Sequence, residues 1–137
     1  MVIVDTSVVY KWFSKQNEQD REKALQILQA HLEKKEVIHV PSLILFELAN
    51  VWATKTYLSL PKIKVFMKDL EQVNLTIIPV TFALLNQSIK FSKKYKVSVY
   101  DAIYAVLAQE KHCILVTADT KFVEKVALSY VKKLQDF

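Results

Sequence analysis

The run VYDAIYAVLAQEKHCILVTAD, residues 99–119, passes from an apolar stretch at helical period into a short β-branched stretch and ends on an acid. Its spacing predicts a helix over 100–111 and a strand over 113–116. The same alternation extends outward in both directions. Further strands are expected at 2–4, 37–40 and 75–79, with 130–134 as a candidate edge strand. Helices are expected at 7–13, 18–35, 42–57, 61–73, 81–95 and 120–129. Pro61 suits a first helical turn, where its missing N–H is not needed. Crossovers of this length join strands in parallel, so the chain reads as α/β.

Composition narrows the function classes. The chain of 137 residues contains no glycine. Walker and Rossmann phosphate loops need glycine so that backbone amides can approach the phosphates, which largely excludes nucleoside triphosphate and dinucleotide chemistry. Tight two-residue hairpins also depend on residues at positive φ, which argues against an antiparallel meander. Lysine and arginine number 19 against 14 acids, for a formal net charge of +5, which meets a first requirement for nucleic-acid binding. Cys113 has no partner for an internal disulfide and reads as a small buried hydrophobe. The chain start lacks the pattern of a signal peptide, and no apolar run approaches the ~20 residues that span a bilayer. The expectation is a single soluble, cytoplasmic domain over residues 1–137 with no membrane partner.

Four acids stand in apolar settings. Asp5 closes Val2-Ile3-Val4, Glu47 interrupts Leu43-Ile44-Leu45-Phe46 and Leu48-Ala49, Asp101 opens the 102–108 run, and Asp119 follows Ile114-Leu115-Val116-Thr117-Ala118. Burying a carboxylate is costly unless it is paired or bound to metal, and no Arg or Lys lies inside these segments. Asp5, Asp101 and Asp119 each also fit a helix N-cap, and capping explains any one of them taken singly. Glu47 does not fit, because it falls inside its helix with Ile44, Leu43 and Val51 as neighbours and Asn50 one turn on. Open parallel sheets bind ligands beyond the carboxyl ends of their strands, where Asp5 and Asp119 fall. Oxygen-only ligands select hard cations such as Mg²⁺ or Mn²⁺, and one or two such ions activate water for phosphodiester hydrolysis. His31, His39 and His112 lack zinc-type spacing, and structural or surface roles are expected for all three, His39 alone lying at a strand end within reach of the acids.

The segments Val4-Asp5-Thr6-Ser7, Phe46-Glu47-Leu48-Ala49-Asn50, Val99-Tyr100-Asp101-Ala102-Ile103-Tyr104-Ala105 and Val116-Thr117-Ala118-Asp119 together resemble the PIN domain, and within it the VapC-like ribonuclease toxins. The resemblance runs from Asp5 to about Phe122. It implies a three-layer α/β/α fold with a central parallel sheet of four or five strands. It also implies a Mg²⁺ or Mn²⁺ site and endonucleolytic cleavage of RNA under the control of a small antitoxin protein. Carried over by position, Asp5, Glu47, Asp101 and Asp119 are its catalytic and metal-binding acids. Ser7, Asn50 and Thr117 are supporting positions, and Glu124, though available, suits a surface role.

A dehalogenase-type phosphatase also starts with a strand-end Asp, but it needs a second Asp where Ser7 stands. A receiver domain needs paired early acids, which are missing. A metal-dependent phosphatase of another kind and a non-catalytic PIN-fold module that binds RNA or protein remain alternatives. Lys90, Lys93, Lys94 and Lys96 form the densest basic cluster, read either as a solvated face or as a guide for an RNA backbone. The helix from Ser42 is apolar around more than one face, so Leu45 or Trp52 is a candidate for contact with a second copy or an antitoxin.

Overall fold

The computed structural model describes residues 1–15 and 18–137. Among these, five short strands form one all-parallel sheet: β1 (Val2–Val4), β2 (Ile38–Pro41), β3 (Thr76–Ile78), β4 (Ile114–Thr117) and β5 (Val131–Lys133). Seven helices connect and cover it: α1 (Thr6–Trp12), α2 (Arg21–Leu32), α3 (Leu43–Thr54), α4 (Leu60–Val73), α5 (Phe82–Tyr95), α6 (Val99–Glu110) and α7 (Thr120–Val126). The result is the three-layer α/β/α arrangement, with five strands.

Strand order is β3-β2-β1-β4-β5. The chain builds outward from β1 through β2 to β3, then returns to the other side of β1 for β4 and β5. The direction of winding therefore reverses between β1 and β4. At such a reversal the connections leave on opposite sides, and a crevice opens beyond the carboxyl ends of the two strands. Register places Val4 beside Val116 at this edge, so the residues that follow, Asp5 and Thr117 to Asp119, face one another there.

The core fixes the two strands that flank the crevice. Val2, Ile3 and Val4 are all buried, as expected for a central parallel strand covered on both faces. Helix α6 packs on β1, β2 and β4, and every residue from Ala102 to Ala108 is buried. Its three alanines allow close approach to the sheet. Helix α1 touches β1 and β4 and packs on α2 and α3. Trp52, considered above as a partner contact, is 1% exposed. It packs edge-on against Phe13, just after α1, and Phe66 of α4, with ring centres 5.2 and 5.4 Å away. The exposed aromatic of α3 is instead Phe46, at 73%.

Lacking glycine, the chain places other residues in the left-handed region at its turns. Asn74, Lys96 and Ala127 close α4, α5 and α7 at φ of 59°, 56° and 50°. Ala127 ends α7 at Val126, three residues short of the expected Ser129, which frees the chain to enter β5. No helix among the described residues is long and apolar enough to cross a membrane.

Candidate active site

Asp5 is the N-cap of α1, with extended backbone at φ −98° and ψ −179°, and its side chain accepts from the Val8 N–H at 3.4 Å. Capping is only part of its role. Ser7 Oγ donates to Asp5 Oδ1 at 2.5 Å, and Thr117 Oγ1 donates to Oδ2 at 2.5 Å. The same hydroxyls then accept backbone donors, Ser7 from Ala118 N at 2.9 Å and Thr117 from Asp119 N at 3.0 Å. Ser7 and Thr117 thus stitch the β1–α1 junction to the β4–α7 junction across the winding reversal. Each supporting hydroxyl bears directly on Asp5.

Asp119 caps α7, accepting from Phe122 N at 3.0 Å. Asp101 does not cap its helix. Ser98 does, taking the Asp101 N–H at 3.1 Å, so α6 begins at Val99 and Asp101 sits within its first turn. Being off the cap leaves the Asp101 carboxylate free to face its neighbours. Glu47 projects from α3, and its Oε1 accepts two hydroxyls, Thr6 Oγ1 at 2.8 Å and Tyr104 Oη at 2.5 Å.

Two of the four acids are raised, in part by the charges of their neighbours. Burial, opposed by hydrogen bonds from Ser7, Thr117 and Val8, pushes the Asp5 carboxyl up to about 6, with the charge of Asp101 adding to the rise. Burial likewise raises Asp101, helped by the charges of Asp119 and Glu47. The Tyr104 phenol is raised far above its ordinary range, first by burial and then by Glu47, so it stays a donor. Among the described residues, the salt bridges join Met1 to Glu36, Lys11 to Glu18, Lys35 to Glu33 and Lys133 to Glu124. None neutralises the four acids.

That uncompensated set of hard oxygen donors fits a hard divalent cation. No three of the acids among the described residues are close enough to share one ion directly. Mg²⁺ usually takes one or two carboxylates and keeps several of its waters, so the spread set still suits it.

Other expected residues lie elsewhere. Asn50 is exposed, and among the described residues its side chain hydrogen-bonds to Thr54, whose hydroxyl lies 3.5 Å from its amide oxygen, and not to Glu47. His39 lies within β2, its ring near Val37 O, and His31 bonds Val73 O and Ile38 N. Glu124 pairs with Lys133 on the surface. Lys90 and Lys94 line a cleft of about 480 Å³ with Phe91, Tyr95 and Tyr130, and Lys94 lies over the Tyr95 ring. Lys93 and Lys96 are exposed, and Lys96 receives the Lys125 ammonium on its carbonyl. No hydrogen bond or salt bridge among the described residues joins this cluster to the acids.

Sequence reasoning passed over Thr6, Tyr104 and Lys11. Tyr104 carried a signal: a phenol one turn after Asp101, in an otherwise aliphatic buried run, needs an acceptor. Lys11 is buried, held by Glu18 Oε1 at 3.1 Å and Gln19 O at 2.8 Å. With Thr6, Ser7, Tyr10 and Val51 it lines a cleft of about 370 Å³ beside the acids.

An all-parallel sheet with carboxylates near its winding reversal defines a class of α/β protein with an acidic crevice. The model of the PIN domain matches residues 2–128, and the chain belongs to that family. Among curated proteins, none matches the chain significantly. Solved structures share the fold at low identity. FitAcB from Neisseria gonorrhoeae is similar at a TM-score of 0.73 and 20% identity, each chain covered over 100%. A toxin-antitoxin complex from Klebsiella pneumoniae is similar at 0.72 and 18%, covering 98% of each chain. VapC20 from Mycobacterium tuberculosis, a sarcin-ricin loop cleaving toxin, is similar at 0.71 and 13%, covering 96% of this chain and 97% of that one.

Proposed function

We propose that this chain is a Mg²⁺- or Mn²⁺-dependent endoribonuclease, the toxin of a cytoplasmic toxin–antitoxin pair. The observation that carries the reading is the convergence of Asp5, Glu47, Asp101 and Asp119 at the sheet's winding reversal with no cationic side chain to neutralise them. When bound, the cation supplies a water of lowered pKa and offsets charge on the phosphodiester. One or two of the four carboxylates would bind it directly, and the others would act through its bound waters. Ser7 and Thr117 fix both oxygens of Asp5 so that the carboxylate enters the reaction already oriented. Ser98 sets the first turn of α6 and with it the place of Asp101. Water attacks phosphorus, the bond to the leaving sugar oxygen breaks, and that oxygen takes up a proton.

Partners follow from the surface. RNA as substrate is supported by the net charge of +5 and by the likeness to the sarcin-ricin loop cleaving toxin. Lys90 and Lys94 offer phosphate contacts and Tyr95 a stacking face along one flank. A small antitoxin is supported by an apolar cleft of about 620 Å³ lined by Phe13, Trp52, Leu58 and Phe66, with Lys15 and Lys55 at its rim. An amphipathic segment with acidic residues suits that lining. A homodimer would cover exposed Phe46 and Phe82.

Purified protein assayed on single-stranded and structured RNA should cleave with Mg²⁺ or Mn²⁺ and stop with EDTA. Undiminished cleavage in EDTA sinks metal dependence. RNA binding without cleavage under any metal would favour the non-catalytic reading.

A further inference from the structure

Glu47 is held in an asymmetric way. Both hydroxyl donors fall on one oxygen, Oε1, from Thr6 at 2.8 Å and from Tyr104 at 2.5 Å. Among the described residues no hydrogen bond reaches Oε2. The two hydroxyl oxygens are themselves 3.1 Å apart, which closes a triangle of three side chains from α1, α3 and α6. A glutamate has three rotatable side-chain bonds, and free in a crevice it would spread its carboxylate over many positions. Two donors on one oxygen remove that freedom and leave the other oxygen available.

We infer that Tyr104 and Thr6 are positioning residues that lock Glu47 by Oε1 so that Oε2 is presented to the cation and its water. This rests on the reading of Glu47 as a member of the metal site. Tyr104 is suited to the task because it is 3% exposed and sits on α6 one turn after Asp101. One rigid helix therefore carries an acid of the site and the clamp for a second acid. Thr6 is the first residue of α1, next to Asp5, so the other donor is tied to the third acid in the same way. The bland alternative is that a buried phenol simply needs an acceptor and Glu47 happens to supply it. The two differ in what removing the hydroxyl does to the metal response.

Tyr104→Phe removes only the hydroxyl and keeps the ring in place. Outer groups that orient metal ligands commonly contribute about 10- to 100-fold to metal affinity or activity. The variant should lose about tenfold in kcat and in apparent Mn²⁺ affinity, while its KM for RNA stays within about twofold, since positioning acts on the chemical step and not on uniform binding. The Mn²⁺-induced rise in melting temperature should shrink with it, and Thr6→Val should show the same pattern more weakly, whereas Thr6→Ser should retain it.

The cycle with Glu47→Gln separates the possibilities. If the hydroxyl acts through Glu47, adding Tyr104→Phe to Glu47→Gln changes neither kcat nor the Mn²⁺ shift further. Independent, additive losses overturn the clamp. So does a Tyr104→Phe protein whose metal-free melting temperature falls while its Mn²⁺ response and kcat match the wild type. A silent Glu47→Gln overturns instead the placement of Glu47 in the metal site, so the two failures look different.

Discussion

Asp5 meets opposing demands within one side chain. Its carboxylate accepts three hydrogen bonds, which favour the charged form, yet burial outweighs them and pushes the carboxyl up to about 6. An acid raised in the folded state favours folding least where it must be charged. Below its ordinary value of 3.8 both folded and unfolded chains hold the proton, and there is no penalty. As pH rises from there to about 6 the unfolded chain releases its proton and the folded one keeps it, so stability falls across that window and then levels off. Asp5→Asn removes the penalty. With EDTA present, its melting temperature relative to the wild type should climb between pH 4 and pH 6 and plateau by pH 7, at a gain of about 1 to 2 kcal/mol. The figure is well below the full shift because Asp5 is only half-buried as a residue and Asn loses a hydrogen bond with Ser7 or Thr117. A difference that does not change with pH would show that burial does not govern Asp5. Among residues, Asp5 was legible as a strand-end acid, whereas Ser7 and Thr117 came only from the resemblance to the PIN domain. The sequence could not name Thr6 or Tyr104 as partners of Glu47, since those bonds span 41 and 57 residues.

At the scale of elements, the ends were harder to read than the elements. The sequence places all five strands and seven helices, since β-branched runs and helical stripes are local. Where α6 starts and α7 stops depends on single turns. Asp101 fits a cap by residue type, but Ser98 offers its oxygen three residues earlier and wins, so α6 starts at Val99 and not at the expected Tyr100. Helix α7 stops because Ala127 adopts φ 50°. An L-residue with a Cβ in that region costs about 1 to 2 kcal/mol relative to a right-handed one. Ala127→Gly should therefore raise stability by about 1 kcal/mol, net of glycine's extra freedom in the unfolded chain. For a domain of this size that is a rise of about 3 °C in a thermal melt. A fall in melting temperature would mean that the turn is held by something other than the missing glycine. Trp52 shows the limit of reading helix α3: a helix that is apolar all round does not reveal what covers each side. Here Phe13 and Phe66 cover the tryptophan, while Phe46 is left to solvent.

For the molecule as a whole, the parallel sheet follows from crossover length and the absence of glycine. The strand order could not be read, because nothing local says on which side of β1 the chain returns. That return creates the crevice and gathers four acids, spread from residue 5 to residue 119, at one end of a protein whose net charge is positive. The proposed role of this cluster is to bind a divalent cation. Calorimetric titration of Mn²⁺ into metal-stripped protein, wild type beside Asp101→Asn, tests it most directly. Asp101→Asn keeps the Ser98 cap, which uses the backbone N–H, and removes one charge from the cluster. The wild type should bind Mn²⁺ saturably and the variant about tenfold or more weakly. Equal affinities in the two proteins, or no Mn²⁺ binding by the wild type, would contradict that role.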